Sequence, residues 1–221
     1  MTKSRHPSRY VIAQSLESQN EPGSRGRVLR NRLGIRSKRE MDKAEHDALV
    51  AAQAEYLKSI DSRTRFTSKL LCQMHRDWLG DIYEWAGHYR SVELQKGDFA
   101  WPPAYRVAPN MDELEKRLLA THTPCAGSLE QVALMMAQVH AELLLIHPFR
   151  EGNGRLARWL ADLMSLQAGL PAPLYSFGGR GGKDRRIEYL DAVRQGYARR
   201  YEPLARYFLE ALERRLRNRK G

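Results

Sequence analysis

Apolar residues recur at helical intervals through most of the chain, and each such stretch predicts a helix. From about Arg39 to Ile60 the recurring positions are Met41, Ala44, Ala48, Ala52 and Tyr56. Thr67 is the expected N-cap of a second helix, in which Leu71, Met74, Trp78, Ile82 and Trp85 form one stripe before Gly87 ends it. A third helix is expected near Met111–Thr121. The clearest repeat is Val132, Met135, Met136, Val139, Leu143 and Ile146. Pro148 disfavours helix at the residue before it, so this helix should stop at about His147. Another begins near Asn153, with Leu156, Leu160 and Leu163 on one face, and stops at Gly169. The last two are expected at Asp184–Tyr197 and Glu202–Arg217. In the latter, Pro203 suits the first turn, and Leu204, Tyr207, Phe208, Ala211 and Leu212 make the buried face.

One stretch breaks the helical pattern. Tyr89–Leu94 and Phe99–Trp101 are β-prone and flank Gln95-Lys96-Gly97-Asp98, which reads as a hairpin closed by Pro102-Pro103. The fold class is therefore all-α in the main, a helical bundle with one small β-hairpin. Residues 1–38 read as a basic N-terminal extension, with 1–24 loose and a turn at Glu21-Pro22-Gly23-Ser24. Residues 39–205 carry the core domain, and 206–221 a helix end with a basic tail.

Composition narrows the class. A chain of 221 residues suits one domain with extensions, and 42% hydrophobic residues with 4 Trp, 10 Tyr and 5 Phe can build a core. No apolar run approaches the roughly 18 residues of a membrane span, so no membrane partner is expected. The polar start, Met1 to Tyr10, has no apolar segment behind it and does not read as a signal peptide. The two cysteines, Cys72 and Cys125, lack disulfide or zinc spacing, so a reducing cytoplasm is the expected setting. The net charge of +11 comes largely from two clusters: Arg25, Arg27, Arg30, Arg32, Arg36, Lys38, Arg39, and Arg214, Arg215, Arg217, Arg219, Lys220. Neither is interleaved with aromatic residues, so solvated surface is the first reading and nucleic acid is not expected as a direct substrate.

The chemistry concentrates in His147–Arg158, HPFREGNGRLAR. Two strongly apolar helices are joined here by an imidazole, an acid, two glycines and an amide, with two arginines in the helix that follows. Gly152 and Gly154 let successive backbone N–H groups face one concave side. Asn153 suits an N-cap, and the helix it opens points its unpaired N–H groups and positive end at the same space, a phosphate site. Arg155 and Arg158 share the first turn and can reach a polyphosphate. Glu151 offers a hard oxygen for the Mg²⁺ that accompanies nucleotides. His147 is expected at the rim with a pKa near neutrality, the property suited to taking a proton from an attacking hydroxyl. Each residue alone has a plainer reading, such as Arg158 pairing with Asp162; together they require several coincidences.

These residues resemble the signature of the Fic (Fido) family, His-x-Phe-x-Asp/Glu-Gly-Asn-Gly-Arg-x-x-Arg, and every specified position matches. The resemblance runs from about Phe66 to Tyr207 and implies a protein adenylyltransferase that moves AMP from ATP to a Ser, Thr or Tyr hydroxyl of a target protein. It implies His147 as general base, Phe149 as buried anchor and Glu151 as Mg²⁺ ligand. Gly152, Asn153 and Gly154 would hold the α- and β-phosphates, and Arg155 and Arg158 the outer ones. The hairpin Val92, Glu93, Leu94, Gln95, Lys96, Gly97, Asp98, Phe99, Ala100 and Trp101 would be the flap that clamps the target by strand addition.

Two other features fail as sites. Gly178–Lys183 is not a phosphate-binding Walker loop, since Phe177 and Asp184 stand where glycine and Ser/Thr are needed. It reads as a flexible loop near the adenine. His140 and His147 have no third ligand at zinc spacing. Many members of the family carry Ser/Thr-x-x-x-Glu-Gly/Asn, whose glutamate blocks the second motif arginine; this chain has no such run. The expected restraint is therefore a separate antitoxin-like partner supplying a glutamate, as for a toxin-like regulator. Transfer of another nucleotide or of a phosphoryl group stays open, as does oligomeric state. A basic nucleic-acid-binding protein with an inert anion site is the alternative from a different class.

Overall fold

The computed structural model describes residues 15–218. Met1–Tyr10, Arg219 and Lys220 lie outside them. The described elements are α1 (Lys38–Ser59), α2 (Ser68–Leu79), β1 (Gln95–Lys96), β2 (Phe99–Ala100), α3 (Val107–Leu114), α4 (Ala120–His122), α5 (Leu129–Ile146), α6 (Asn153–Gln167), α7 (Gly182–Gly196) and α8 (Glu202–Asn218).

Helix α5 is the centre of the bundle, and α3, α6, α7 and α8 pack on it. Ser128 starts it with a capping box: its hydroxyl accepts from Gln131 N–H while the Gln131 side chain accepts from Ser128 N–H. Val132, Met136, Val139, Leu143 and Ile146 are buried as their spacing predicts. With a mean hydropathy of 1.3 over 18 residues, α5 is long and apolar enough to cross a membrane, contrary to the expectation from the sequence. Its position beneath four other helices makes it a core helix. Gly196 lets α7 approach it, since a Cβ there would lie 2.6 Å from the Ala141 Cβ. Leu204, Tyr207, Phe208, Ala211 and Leu212 form the buried face of α8, again as predicted.

Thr67 caps α2 by accepting from Leu70 N–H. The helix stops at Leu79, however, and not at Gly87. Residues 80–87 turn back so that Gly87 N–H reaches Nδ1 of His75 at 2.9 Å. Gly87 is needed for that return and not as a helix end: its φ is +80, and a Cβ would lie 2.7 Å from the Arg76 Cβ. Ile82 is still buried, while Trp85 is only half-buried and stacks on Tyr83 at 4.4 Å. The helix expected near Met111 starts earlier, at Val107, and continues past α3 through a π turn, Glu115–Leu119, into α4.

The hairpin is smaller than expected and displaced into the anticipated turn. Gln95 pairs with Ala100 and Lys96 with Phe99 across Gly97-Asp98, and Trp101 N–H adds a bond to Leu94 O at 3.1 Å. Tyr89–Leu94 is not a strand, because Arg90 is drawn inward and holds this segment to the end of α5. Ser15–Ser24 is not loose either. Asn20 bridges Leu29, Glu21 N–H donates to Val28 O, and the buried Glu17 carboxylate accepts from Ser91 N–H at 2.6 Å.

Candidate active site

Helix α5 ends at His147 in the left-handed conformation, φ 52°, with its N–H still on Leu143 O. Phe149 then plunges into the core and stacks on His75, ring centroids 3.9 Å apart. Because Nδ1 of His75 accepts the Gly87 N–H, its proton sits on Nε2 and is donated to Glu151 O at 3.1 Å. Burial lowers His75 to about 4, so it stays neutral and holds the loop to α2.

Asn153 behaves differently from the expectation. The N-cap of α6 is Gly152, with φ +85, and Asn153 is the first helical residue. Its amide, 3% exposed, accepts from Phe149 N–H at 2.9 Å and donates to Phe149 O at 2.7 Å. Those bonds close the loop and keep the Asn153 side chain away from the cleft. Gly152 has no room for a side chain, since a Cβ would lie 2.8 Å from the Trp78 ring. No side chain caps α6, so its positive end opens into the cleft.

The His147 ring donates from Nδ1 to Leu144 O at 3.1 Å, which leaves the lone pair on Nε2. Its pKa is not near neutrality as the sequence suggests: burial lowers it to about 4, and the charges of Arg90 and Lys96 push the same way. Much of that cover is Trp101, whose ring centroid lies 4.1 Å from the imidazole and whose indole N–H also donates to Leu144 O. Phe99 packs edge-on against Trp101 and stacks on Tyr197, just past the end of α7, at 5.3 Å, so the hairpin rests across the site. Buried Arg90 fixes its base: Nε donates to His147 O, and the terminal nitrogens to Val92 O and Pro102 O.

Between α6, α7 and the hairpin lies a cleft of about 850 Å³. His147, Glu151, Gly152, Gly154, Arg155 and Arg158 line it together with Lys96, Phe99 and Trp101. Phe149 and Asn153 support the loop from beneath. The remaining hairpin residues Val92, Glu93, Leu94, Gln95, Gly97, Asp98 and Ala100 do not line it. Five basic side chains, Lys96, Arg155, Arg158, Arg186 and Arg194, face one carboxylate, Glu151, a balance that suits a polyphosphate.

The two motif arginines are held differently. The Arg158 guanidinium lies beside the Tyr189 hydroxyl and over the Phe177 ring. Tyr189 in turn donates to Nε2 of His140 at 2.7 Å, because Nδ1 of His140 donates to Ala157 O. Burial lowers His140 to about 3. Asp162 is not the partner of Arg158: it accepts the Tyr175 hydroxyl, and burial raises it to about 7. Arg155 stands on Trp78, 4.7 Å from the ring centroid, between Glu45 and Glu151.

Glu151 is 47% exposed at its side chain. Among the described residues no group of three or more His, Cys, Asp or Glu could hold a metal. One exposed carboxylate in a cationic cleft fits a cation whose other ligands come from outside the chain, as phosphates and water would.

Arg186, Tyr189, Arg194, Glu45, Trp78 and Arg90 were missed by the sequence reading. Arg186, Leu190 and Arg194 share one face of α7 by spacing, but spacing does not say what that face meets. The glycine loop before α7 does not line the cleft; the helix it opens does.

The class is a mainly helical bundle with a cationic cleft, a buried-anchor loop and a hairpin beside it. Residues 65–165 match the Fic/DOC family. The chain is 31% identical over 182 residues to a probable protein adenylyltransferase, y4lH, of Sinorhizobium fredii, covering 80% of this chain and 88% of that one. It is 28% identical over 144 residues to the probable protein adenylyltransferase Fic of Salmonella typhimurium, covering 64% and 70%. Among solved structures it is similar to the N-terminal Fic domain of a Bartonella effector from Bartonella sp. AR 15-3, with a TM-score of 0.71, 19% identity and coverage of 94% and 95%. BepC from Bartonella tribocorum, solved with AMPPNP bound, superposes with a TM-score of 0.65 at 21% identity, over 83% and 91%. The chain belongs to the Fic/DOC family.

Proposed function

We propose that this protein transfers AMP from ATP to a Ser, Thr or Tyr hydroxyl of a target protein, releasing pyrophosphate. The observation that carries the proposal is the His147 ring, whose tautomer leaves a lone pair on Nε2 at the wall of a cationic cleft. That nitrogen takes the hydroxyl proton as the oxygen attacks the α-phosphorus. The bond between the α-phosphorus and its bridging oxygen breaks, and its electron pair leaves on pyrophosphate.

The chain's other residues position and neutralise. The Gly152–Gly154 turn and the open end of α6 receive phosphate oxygens. Asn153 and Phe149 fix that turn. Arg158, aimed by Tyr189, takes the outer phosphates. Glu151 would hold a Mg²⁺ ion, which supplies charge neutralisation at the phosphates when bound. The hairpin from Val92 to Trp101 offers backbone groups for an extended target segment beside the site. The adenylyltransferase names of the y4lH and Salmonella relatives support the same reading. Because the chain has no Ser/Thr-x-x-x-Glu-Gly/Asn run, control falls to a separate antitoxin-like chain whose glutamate would engage Arg158.

The test is incubation with α-labelled ATP, Mg²⁺ and a bacterial lysate. A labelled protein band that falls by about 10²–10⁴-fold with His147→Ala supports the proposal. No label from any nucleoside triphosphate, together with salt-sensitive DNA binding, would favour a basic nucleic-acid-binding protein instead.

A further inference from the structure

Glu45 lies on α1, outside the residues 65–165 that match the family, yet it reaches the motif. Its side chain is 4% exposed and sits 2.7 Å from Nη1 of Arg155. The other carboxylate oxygen accepts the Tyr83 hydroxyl at 2.6 Å, and the Glu45 backbone carbonyl accepts the Trp78 indole N–H at 2.8 Å. The same indole carries the Arg155 guanidinium on its face. A buried carboxylate needs such partners to offset its lost hydration, and here both oxygens have one.

On its open side Arg155 is 3.4 Å from the Glu151 carboxylate, through Nη2 alone. A guanidinium and a carboxylate left to themselves prefer a two-point fork. Glu45 occupies Nη1, so the end-on fork through Nη1 and Nη2 cannot close on Glu151. We propose that Glu45 is a positioning residue that restrains Arg155 and thereby keeps Glu151 available to the divalent cation bound with the nucleotide. This rests on the Mg²⁺–nucleotide reading given above.

The consequence has a sign that a merely structural residue would not produce. Neutralising Glu45 frees Arg155 to fork onto Glu151, which weakens the cation. It also adds one net positive charge beside the cleft, which favours an unmetallated polyphosphate. The two effects are opposed. A residue that only holds α1 in place would weaken nucleotide binding equally with and without metal.

The experiment is calorimetric binding of ATP to wild type and Glu45→Gln, once in excess EDTA and once in saturating Mg²⁺. Wild type binds more tightly with Mg²⁺ than without. In the variant that advantage shrinks by about tenfold or more, the usual size for loss of an outer-shell partner, while binding in EDTA is unchanged or tighter. Equal weakening under both conditions, or an unchanged advantage, overturns the proposal. If the variant does not fold, Tyr83→Phe carries the test, with a smaller loss of the advantage supporting it and no loss overturning it. Wild type that binds no ATP at all would instead remove the nucleotide reading itself.

Discussion

The Trp101 indole and the His147 imidazole lie 4.1 Å apart, centroid to centroid, and both rings donate to the same carbonyl, Leu144 O. The residue expected to accept a proton is thus covered by the hairpin expected to hold the target. Cover is the main reason that His147 is lowered to about 4. Arg90 and Lys96 act in the same direction, and the Leu144 carbonyl and Glu151 oppose them.

Removing the cover should therefore move the pH profile. In the wild type His147 stays neutral well below pH 6.5, so kcat/KM should hold down to about pH 5. Trp101→Ala hydrates the ring and returns its pKa toward the ordinary 6.5, shifting the acid limb upward by more than one pH unit. A pH–rate series on both proteins checks this, and coincident acid limbs would contradict it.

Asn153→Ala should cost stability as well as activity. The amide satisfies both Phe149 N–H and Phe149 O in a buried loop. Leaving two buried backbone groups unpaired costs about 2–6 kcal/mol. Denaturant unfolding measures the loss, and a change under 0.5 kcal/mol would show that the loop holds without the amide.

Tyr189→Phe should act on the nucleotide and spare the proton transfer. It removes the hydroxyl between His140 and Arg158 while keeping the ring. Loss of the hydroxyl that sets Arg158 in place should raise KM for ATP by about tenfold, with kcat reduced less. A fall confined to kcat would contradict the role given to Tyr189.

Acid should destabilise the fold through three imidazoles. His75, His140 and His147 are lowered by burial to about 4, 3 and 4 from the usual 6.5. The unfolded chain therefore binds more protons than the folded one once the pH drops below 6.5, and stability falls as pH goes from 6.5 toward 4. Asp162, raised to about 7 by burial, works in the opposite direction, since its protonated form is favoured in the folded state. One carboxyl against three imidazoles leaves the sign unchanged. Thermal unfolding at several pH values reads it: Tm should decline steadily below pH 6.5, and a flat or rising Tm would contradict it.

Periodicity made α5, α6 and α8 legible, because a helix packed on one side leaves a 3.6-residue trace in the sequence. The HPFREGNGRLAR loop was legible because its chemistry is local. Spacing failed where the decisive contact was distant. The stripe through Ile82 and Trp85 continues past the end of α2, since turns can bury the same residues once His75 recaptures Gly87. Tyr89–Leu94 has strand composition, but Arg90 uses its guanidinium on the carbonyls of His147, Val92 and Pro102. Asn153 looked like a cap and is a brace, a difference set by one residue of helix register. Glu45 and the α7 arginines carry no signal until α1 and α7 are docked.

AMP transfer and phosphorylation differ in which bond of ATP is broken. Intact-mass analysis of the labelled target, after incubation with the protein, ATP and Mg²⁺, measures that directly. An added AMP group is expected, absent when His147→Ala replaces the wild type. An added phosphate, or an AMP group that persists with His147→Ala, would contradict that.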